Sequence, residues 1–171
     1  MTKAIEKTAY HEAGHAVASY FHHIPFSSIT IIPEEDCLGC LKHPEPKNPF
    51  HEFDDITLKK ADWIEKMILV RLTGQIAEWK FANRHNWKGS GEDWHWAIEE
   101  ASLLMGGGEV LQKYMDYMWA RAKTLFNVPW CWTAIEAVAK ELLIRKKMEN
   151  RLTRKIIKKA ISDYAQKRGG D

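Results

Sequence analysis

"AYHEAGHAVASYFHH", residues 9–23, reads as a helix with two different sides. Ile5, Ala9, Ala13, Ala16, Val17, Tyr20 and Ile24 recur at helical spacing as one apolar stripe, while His11 and His15 lie opposite it among Ala4, Thr8 and Ser19. A solvated face more often carries Lys and Glu, so small uncharged neighbours predict a covered face with room beside the imidazoles. Residues four apart on a helix differ by about 40° in direction, which lets His11 and His15 place two ring nitrogens on one metal ion. Glu12 lies about 60° from His15, too offset to be a third ligand in this register but placed to take a proton from a water that the metal activates. With 8 histidines in 171 residues, a His-Glu-x-x-His string arises by chance in about three such chains in a hundred, so the string alone does not decide.

A tetrahedral catalytic zinc needs a third protein ligand and an open position. His22 shares the histidine face, but at ~1.5 Å rise per residue it lies about 10 Å along the axis from His15 and cannot reach the same ion. In the extended pattern with Gly three and His six residues after the second histidine, those positions are Ala18 and Phe21 here. The third ligand therefore comes from a later segment, and Asp93 and Glu78 are the candidates. Each has a plainer reading. "SGED" (90–93) fits a capping box on Ser90, and Glu78 in "GQIAEW" fits a surface acid. Spacing does not choose between them.

Outward from this helix, which spans 3–23 with Thr2 as N-cap, "HHIPF" is a stop because Pro25 disfavours the helical region for Ile24. "SSITIIP" (27–33) is short and β-branched, a strand. "EEDCLGCLKHPEPKNPFHEFDD" carries three prolines and one glycine, which predicts a turn, a second strand near 38–42 and an irregular loop. From Ile56 the period is helical, as one long helix or two joined at Thr73-Gly74. Further helices are predicted from Ser90 as N-cap to the glycines at 106–108, then over about 109–126, 129–148 with Pro129 in the first turn, and 154–167 with Thr153 as N-cap. The expectation is a mostly α (α+β) protein: about six helices, a two- to three-stranded sheet after the first helix, and a single domain over 1–171.

Composition narrows the class. The 45% apolar and 28% charged content is that of a globular chain. The start lacks an uninterrupted apolar segment, and no window approaches the roughly 18 apolar residues of a membrane span, so a cytoplasmic location is expected. Three cysteines without a secretory signal predict reduced thiols rather than a disulfide framework. "CLGC" with Cys37, Cys40 and His43 has metal-like spacing but lacks a second pair. Eleven Lys or Arg against three acids between Lys140 and Arg168 make the tail basic, but Leu152, Ile156, Ile157, Ala160, Ile161 and Tyr164 recur at helical spacing. Those charges read as the wet face of a packed helix rather than a nucleic-acid or membrane site. Of the 8 tryptophans, Trp94 and Trp96 flank Asp93 closely enough to wall a cleft, with core packing the plainer reading. His95 reads as a partly exposed helix residue. Strand 27–33, if it lies at a sheet edge, is suited to binding an extended peptide by strand addition.

A run of motifs in order resembles the peptidase domain of the FtsH family of zinc metalloproteases. "YHEAGHAV" is similar to its zinc helix, "TIIP" followed by "LG" (38–39) to its substrate-side strands, "TGQIAE" (73–78) to its Gly-Gly-x-x-Ala-Glu helix, and "GSGED" (89–93) to its Gly-Ala-Ser-Asn-Asp helix start. The final two helices resemble the family's C-terminal pair, so the resemblance covers nearly the whole chain. It implies Zn2+ as cofactor, His11, His15 and Asp93 as ligands, and Glu12 as general base, with Glu78 a supporting acid. Thr73, Trp79 and Glu92 depart from the pattern, which has Gly, Glu and Asn there. The family's ATPase module and membrane anchors do not resemble anything in these residues. The implied activity is therefore an ATP-independent endopeptidase acting on unfolded or flexible polypeptides, in a chain that could self-associate as the family's rings do. A non-catalytic binding or regulatory module on the same scaffold is the alternative, and the presence of Glu12 weighs against it.

Overall fold

The computed structural model describes residues 3–33, 38–44, 50, 55–83 and 91–168. The predicted caps Thr2 and Ser90, and Cys37 of the Cys-x-x-Cys pair, lie outside these. Among the described residues there are six helices and a three-stranded sheet, which is the mostly helical class expected.

Helix α1 (Lys3–His22) is buried almost all round from Ala9 to Ser19. Both sides of the amphipathic reading are therefore covered: the apolar stripe by core, and the histidine side by other parts of the fold. The helix stops in two steps. His23 turns left-handed at φ 58°, and the Ile24 amide donates back to the Ser19 carbonyl at 2.9 Å, so the last turn closes before Pro25.

Helix α2 (Leu58–Ala82) is one continuous helix, capped by the Thr57 hydroxyl, which accepts from the Lys60 amide at 3.2 Å. Of the two readings at Thr73-Gly74, the unbroken one holds, and the glycine is there for space. A Cβ on Gly14 of α1 would stand 2.6 Å from the Thr73 carbonyl oxygen and 2.8 Å from the Ala77 Cβ. The two helices thus cross at backbone distance, with small residues at the crossing.

Strand β1 (Ser28–Thr30) is the centre of the sheet, with β2 (Cys40–Lys42) and β3 (Lys147–Glu149) antiparallel on its flanks in the order β2-β1-β3. Ile29 faces Leu41 on one side and Met148 on the other. β1 is therefore not the edge strand that sequence reading offered to an incoming peptide. β2 is, and it lies against α1, where a Cβ on Gly39 would stand 3.0 Å from Glu12 Oε1.

Helices α3 (Glu92–Met105), α4 (Gly108–Asn127), α5 (Pro129–Arg145) and α6 (Asn150–Arg168) complete the order, with β3 between the last two. Here the sequence expectation needs correcting. The predicted helix 129–148 ends at Arg145 because Lys146 turns to φ 67° and its amide closes on the Leu142 carbonyl at 2.8 Å. The chain then adds a strand to β1. Helix α6 starts at Asn150, whose side-chain amide donates to the Phe26 carbonyl at 2.6 Å. Thr153 is not its cap but a buried residue inside it, donating to the Glu149 carbonyl at 3.1 Å. The core lies between α1, α2, α5 and the sheet, with Ile29, Ile68, Leu72, Ile135, Leu142, Met148 and Ile157 fully buried. No helix among the described residues is long and apolar enough to cross a membrane.

Candidate metal centre

Two turns of α1, the middle of α2 and the first turn of α3 converge on one point. His11 Nε2 and His15 Nε2 lie 2.9 Å apart, and Asp93 Oδ2 stands 2.9 Å from the first and 3.1 Å from the second. Asp93 is the second residue of α3, behind Gly91, which holds the N-cap position at φ 91° with no side-chain cap. Its carboxylate meets the two histidines, while the Ser90 half of the capping-box reading lies outside the described residues. Among the described residues His11, His15 and Asp93 are the only group of His, Cys, Asp or Glu side chains close enough together to hold a metal ion.

Three donor atoms in a near-equilateral triangle fit a tetrahedral ion. Donors about 2.0–2.1 Å from zinc stand about 3.3 Å apart, leaving one position open. Hydrogen bonding alone satisfies the triangle poorly, because two imidazole nitrogens face each other as well as the same carboxylate oxygen. The supporting contacts point the same way. The His15 Nδ1–H donates to the Val70 carbonyl at 2.7 Å, which leaves Nε2 as the lone-pair nitrogen. His11 Nδ1 faces Glu78 Oε2 at 3.7 Å, and Glu78 also meets Lys7 at 3.8 Å. Glu78 is thus behind a histidine rather than in the triangle, and of the two acids the sequence left open, Asp93 is the one at its apex.

Gly74 forms the floor. A Cβ there would overlap the His15 ring and stand 2.8 Å from His11 Nε2. Val70, Gly74 and Glu78 are spaced four apart on α2, so one face of that helix supplies the carbonyl, the gap and the carboxylate that hold both rings.

Glu12 is 4% exposed, and its Oε2 has no hydrogen-bond partner among the described residues. Burial pushes its carboxyl up, while the nearby His15 and His11 charges and the Leu41 backbone of β2 pull it down, with burial prevailing. A cleft of about 870 Å³ opens over these groups, walled by β2 on one side and by Arg71 of α2 and Trp96 of α3 on the other.

The family model of peptidase family M41 matches residues 1–102. The chain belongs to peptidase family M41. This is the family of FtsH peptidase domains that the motifs resembled, and it supplies a metallopeptidase scaffold. No curated protein matches the chain. M41 peptidases are in general zinc-dependent, and the cluster of two histidines and an aspartate is consistent with that chemistry. The match spans α1 to most of α3 and so includes every residue of the triangle.

Other residues singled out from the sequence separate cleanly. Trp94 stacks edge-on against Trp119 at 5.7 Å between centroids, a packing role, whereas Trp96 is 48% exposed and lines the cleft. The unusual Trp79 packs on the same Trp119 at 5.3 Å. The unusual Thr73 is buried, donating to the Val70 carbonyl at 2.6 Å, and Glu92 is exposed on the cleft rim. His95 is exposed and pairs with Glu99 at 3.1 Å. Cys40 sits in β2 along the cleft, and the His43 ring bonds the Pro25 carbonyl at 2.8 Å, while Cys37 of that motif lies outside the described residues. Sequence reading missed Val70 and Arg71, which carry no motif signal, and took Gly74 as a possible break.

The charges predict how metal and protons compete. Burial lowers the His11 pKa, but hydrogen bonds to Asp93 and Glu78 outweigh it and raise the pKa to about 10, while Asp93 is held well below the carboxylate range despite its burial. In the metal-free protein His11 is therefore protonated at neutral pH, and an incoming ion must displace that proton. Zinc affinity is expected to rise about tenfold per pH unit from pH 6 to 8, with about one proton released per ion. Chelator competition at each pH and calorimetry in buffers of different ionisation enthalpy measure both. For the metal-free fold the signs differ by group. The raised His11 stabilises fully below its ordinary 6.5 and loses that contribution towards 10, while the lowered Asp93 stabilises above its ordinary 3.8. The cluster therefore supports the metal-free fold best between those two ordinary values.

Proposed function

We propose that this M41 protein is a zinc-dependent endopeptidase that cleaves unfolded or flexible polypeptides without consuming ATP. The observation that carries the reading is the triangle of His11 Nε2, His15 Nε2 and Asp93 Oδ2 with the buried carboxylate of Glu12 beside it. Zinc held there would supply Lewis acidity, lowering the pKa of a water and polarising the scissile carbonyl. Glu12 takes the proton from the attacking water and passes it to the leaving amine. β2 is an edge strand of the described sheet, on the cleft side, and its backbone suits pairing with an extended substrate, which gives affinity without sequence preference. That mode favours chains already unfolded and needs no nucleotide.

The test is cleavage of an unfolded protein such as casein, together with metal analysis. Wild type is expected to carry one zinc, to lose cleavage with a chelator, to regain it with zinc and to be indifferent to ATP. Asp93→Ala is expected to lose zinc and activity together. Normal zinc content in Asp93→Ala moves the third ligand to Glu78 or another acid. Zinc without cleavage, in a wild type given unfolded substrate, favours a binding module on a peptidase scaffold.

A further inference from the structure

Asp93 is the one member of the triangle that does not come from α1, so its position depends on how α3 lies against α2. Of its 14 residues only Ala97 and Ala101 are fully buried, with Trp94, Ile98 and Leu104 packed partly buried against the core. These apolar contacts hold α3 against its neighbours but are not directional, so they set its rotation and axial placement less sharply than a polar pair does. Its first turn has no side-chain cap, and Gly91 leads into it at φ 91°.

The directional contact lies further along. Asp93, Trp96 and Glu100 are spaced i, i+3 and i+7, which puts them on one face of the helix. The Arg71 guanidinium donates to Glu100 Oε1 through Nη2 at 2.9 Å, and its central carbon lies 5.9 Å from the Trp96 ring centroid. Both side chains are mostly covered, at 25% and 16% exposure. Arg71 also directly follows Val70, whose carbonyl orients the His15 ring. Two consecutive residues of α2 therefore touch both halves of the metal site, one through the backbone to α1 and one through the side chain to α3.

We propose that Arg71, through Glu100, is a positioning residue for the metal site, setting the rotation and axial placement of α3 so that Asp93 meets His11 and His15. This rests on the reading of those three residues as ligands. A covered ion pair is weak support for stability, because desolvation offsets most of its attraction, but it is strongly directional. Arginine suits the role better than lysine. The planar guanidinium holds its donors in a fixed fork while its face lies near the Trp96 ring, whereas a lysine ammonium is a compact charge with rotatable donors and no flat face.

The experiment measures zinc affinity by chelator competition and the visible absorption of the cobalt-substituted protein. The set is wild type, Arg71→Met, Glu100→Gln, the double variant, Arg71→Lys, Asp93→Ala and a control, Arg121→Met. Arg121 makes a comparable 3.0 Å pair with Glu65 but on an exposed face away from the cleft. Arg71→Met and Glu100→Gln are expected to weaken zinc binding about ten- to a hundredfold, with Arg71→Lys intermediate and Arg121→Met unchanged. The cobalt bands should shift in the first two, reporting altered coordination. The double variant leaves no unpaired buried charge, so it folds if Arg71→Met does not, and it should bind zinc no more weakly than the weaker single. Zinc affinity and cobalt bands unchanged in all Arg71 and Glu100 variants, while Asp93→Ala loses zinc, overturn the positioning role alone, whatever happens to thermal stability. So do losses in the double variant that equal the product of the singles. Zinc retained in Asp93→Ala overturns the ligand assignment, and this proposal with it.

Discussion

Glu12→Gln protein is expected to keep one zinc per chain and to lose about 10²- to 10⁴-fold in kcat for casein or peptide cleavage, the range for removing a general base. The two properties should separate because Glu12 is outside the triangle. Its carboxylate lies under β2, near Gly39 and the Leu41 backbone, while the three converging atoms belong to His11, His15 and Asp93. Glutamine keeps the size and removes only the charge and the proton capacity. Because the carboxylate is 4% exposed, with one oxygen lacking a hydrogen-bond partner among the described residues, the amide should be tolerated without loss of fold. Metal analysis and cleavage rates on the same preparation check the result. Unchanged kcat with zinc bound would mean that another group carries the proton.

The second large effect is expected from a methyl group. Gly74→Ala favours the helix by roughly 1 kcal/mol on propensity alone, so α2 should form at least as readily. The added Cβ nevertheless overlaps the His15 ring and comes within 2.8 Å of His11 Nε2. Neither imidazole can easily move aside. His15 is bonded to the Val70 carbonyl, and both rings sit on α1, which Gly14 brings to backbone distance of α2. The expected outcome is helical circular dichroism like wild type, zinc content near zero and no detectable proteolysis. A Gly74→Ala protein that still bound zinc at wild-type affinity would show that the rings have a second workable arrangement.

The central helix was legible in the sequence because 3.6-residue periodicity and a two-histidine spacing are both local. His11, Glu12 and His15 follow from a single stretch, and His22 drops out by rise per residue. Asp93 did not follow from spacing, since any later acid could return to the site; only the order of motifs favoured it. The short strands were harder. Lys147–Glu149 continues a helical pattern, and what makes it a strand is Lys146 in the left-handed region and a partner, β1, more than a hundred residues earlier. Thr153 resembles a cap in sequence but is used one turn inside α6. Gly74 shows the same limit from the other side. A glycine signals freedom of backbone or absence of a side chain, and sequence does not say which; here it is absence, beside two imidazoles.

The sheet order bears on how far this catalytic unit can be transplanted. Every group proposed for the chemistry falls within residues 1–102, the stretch shared with the M41 family. Yet one flank of β1 is closed by β3, at 147–149, and α1 is covered on one side by α5. A chain cut at the family border would keep every group proposed to bind zinc or carry a proton. It would also bare a strand edge and an apolar helix side at once, a combination that favours self-association over folding. The later helices are thus the casing of the shared half, closing both its strand edge and its first helix.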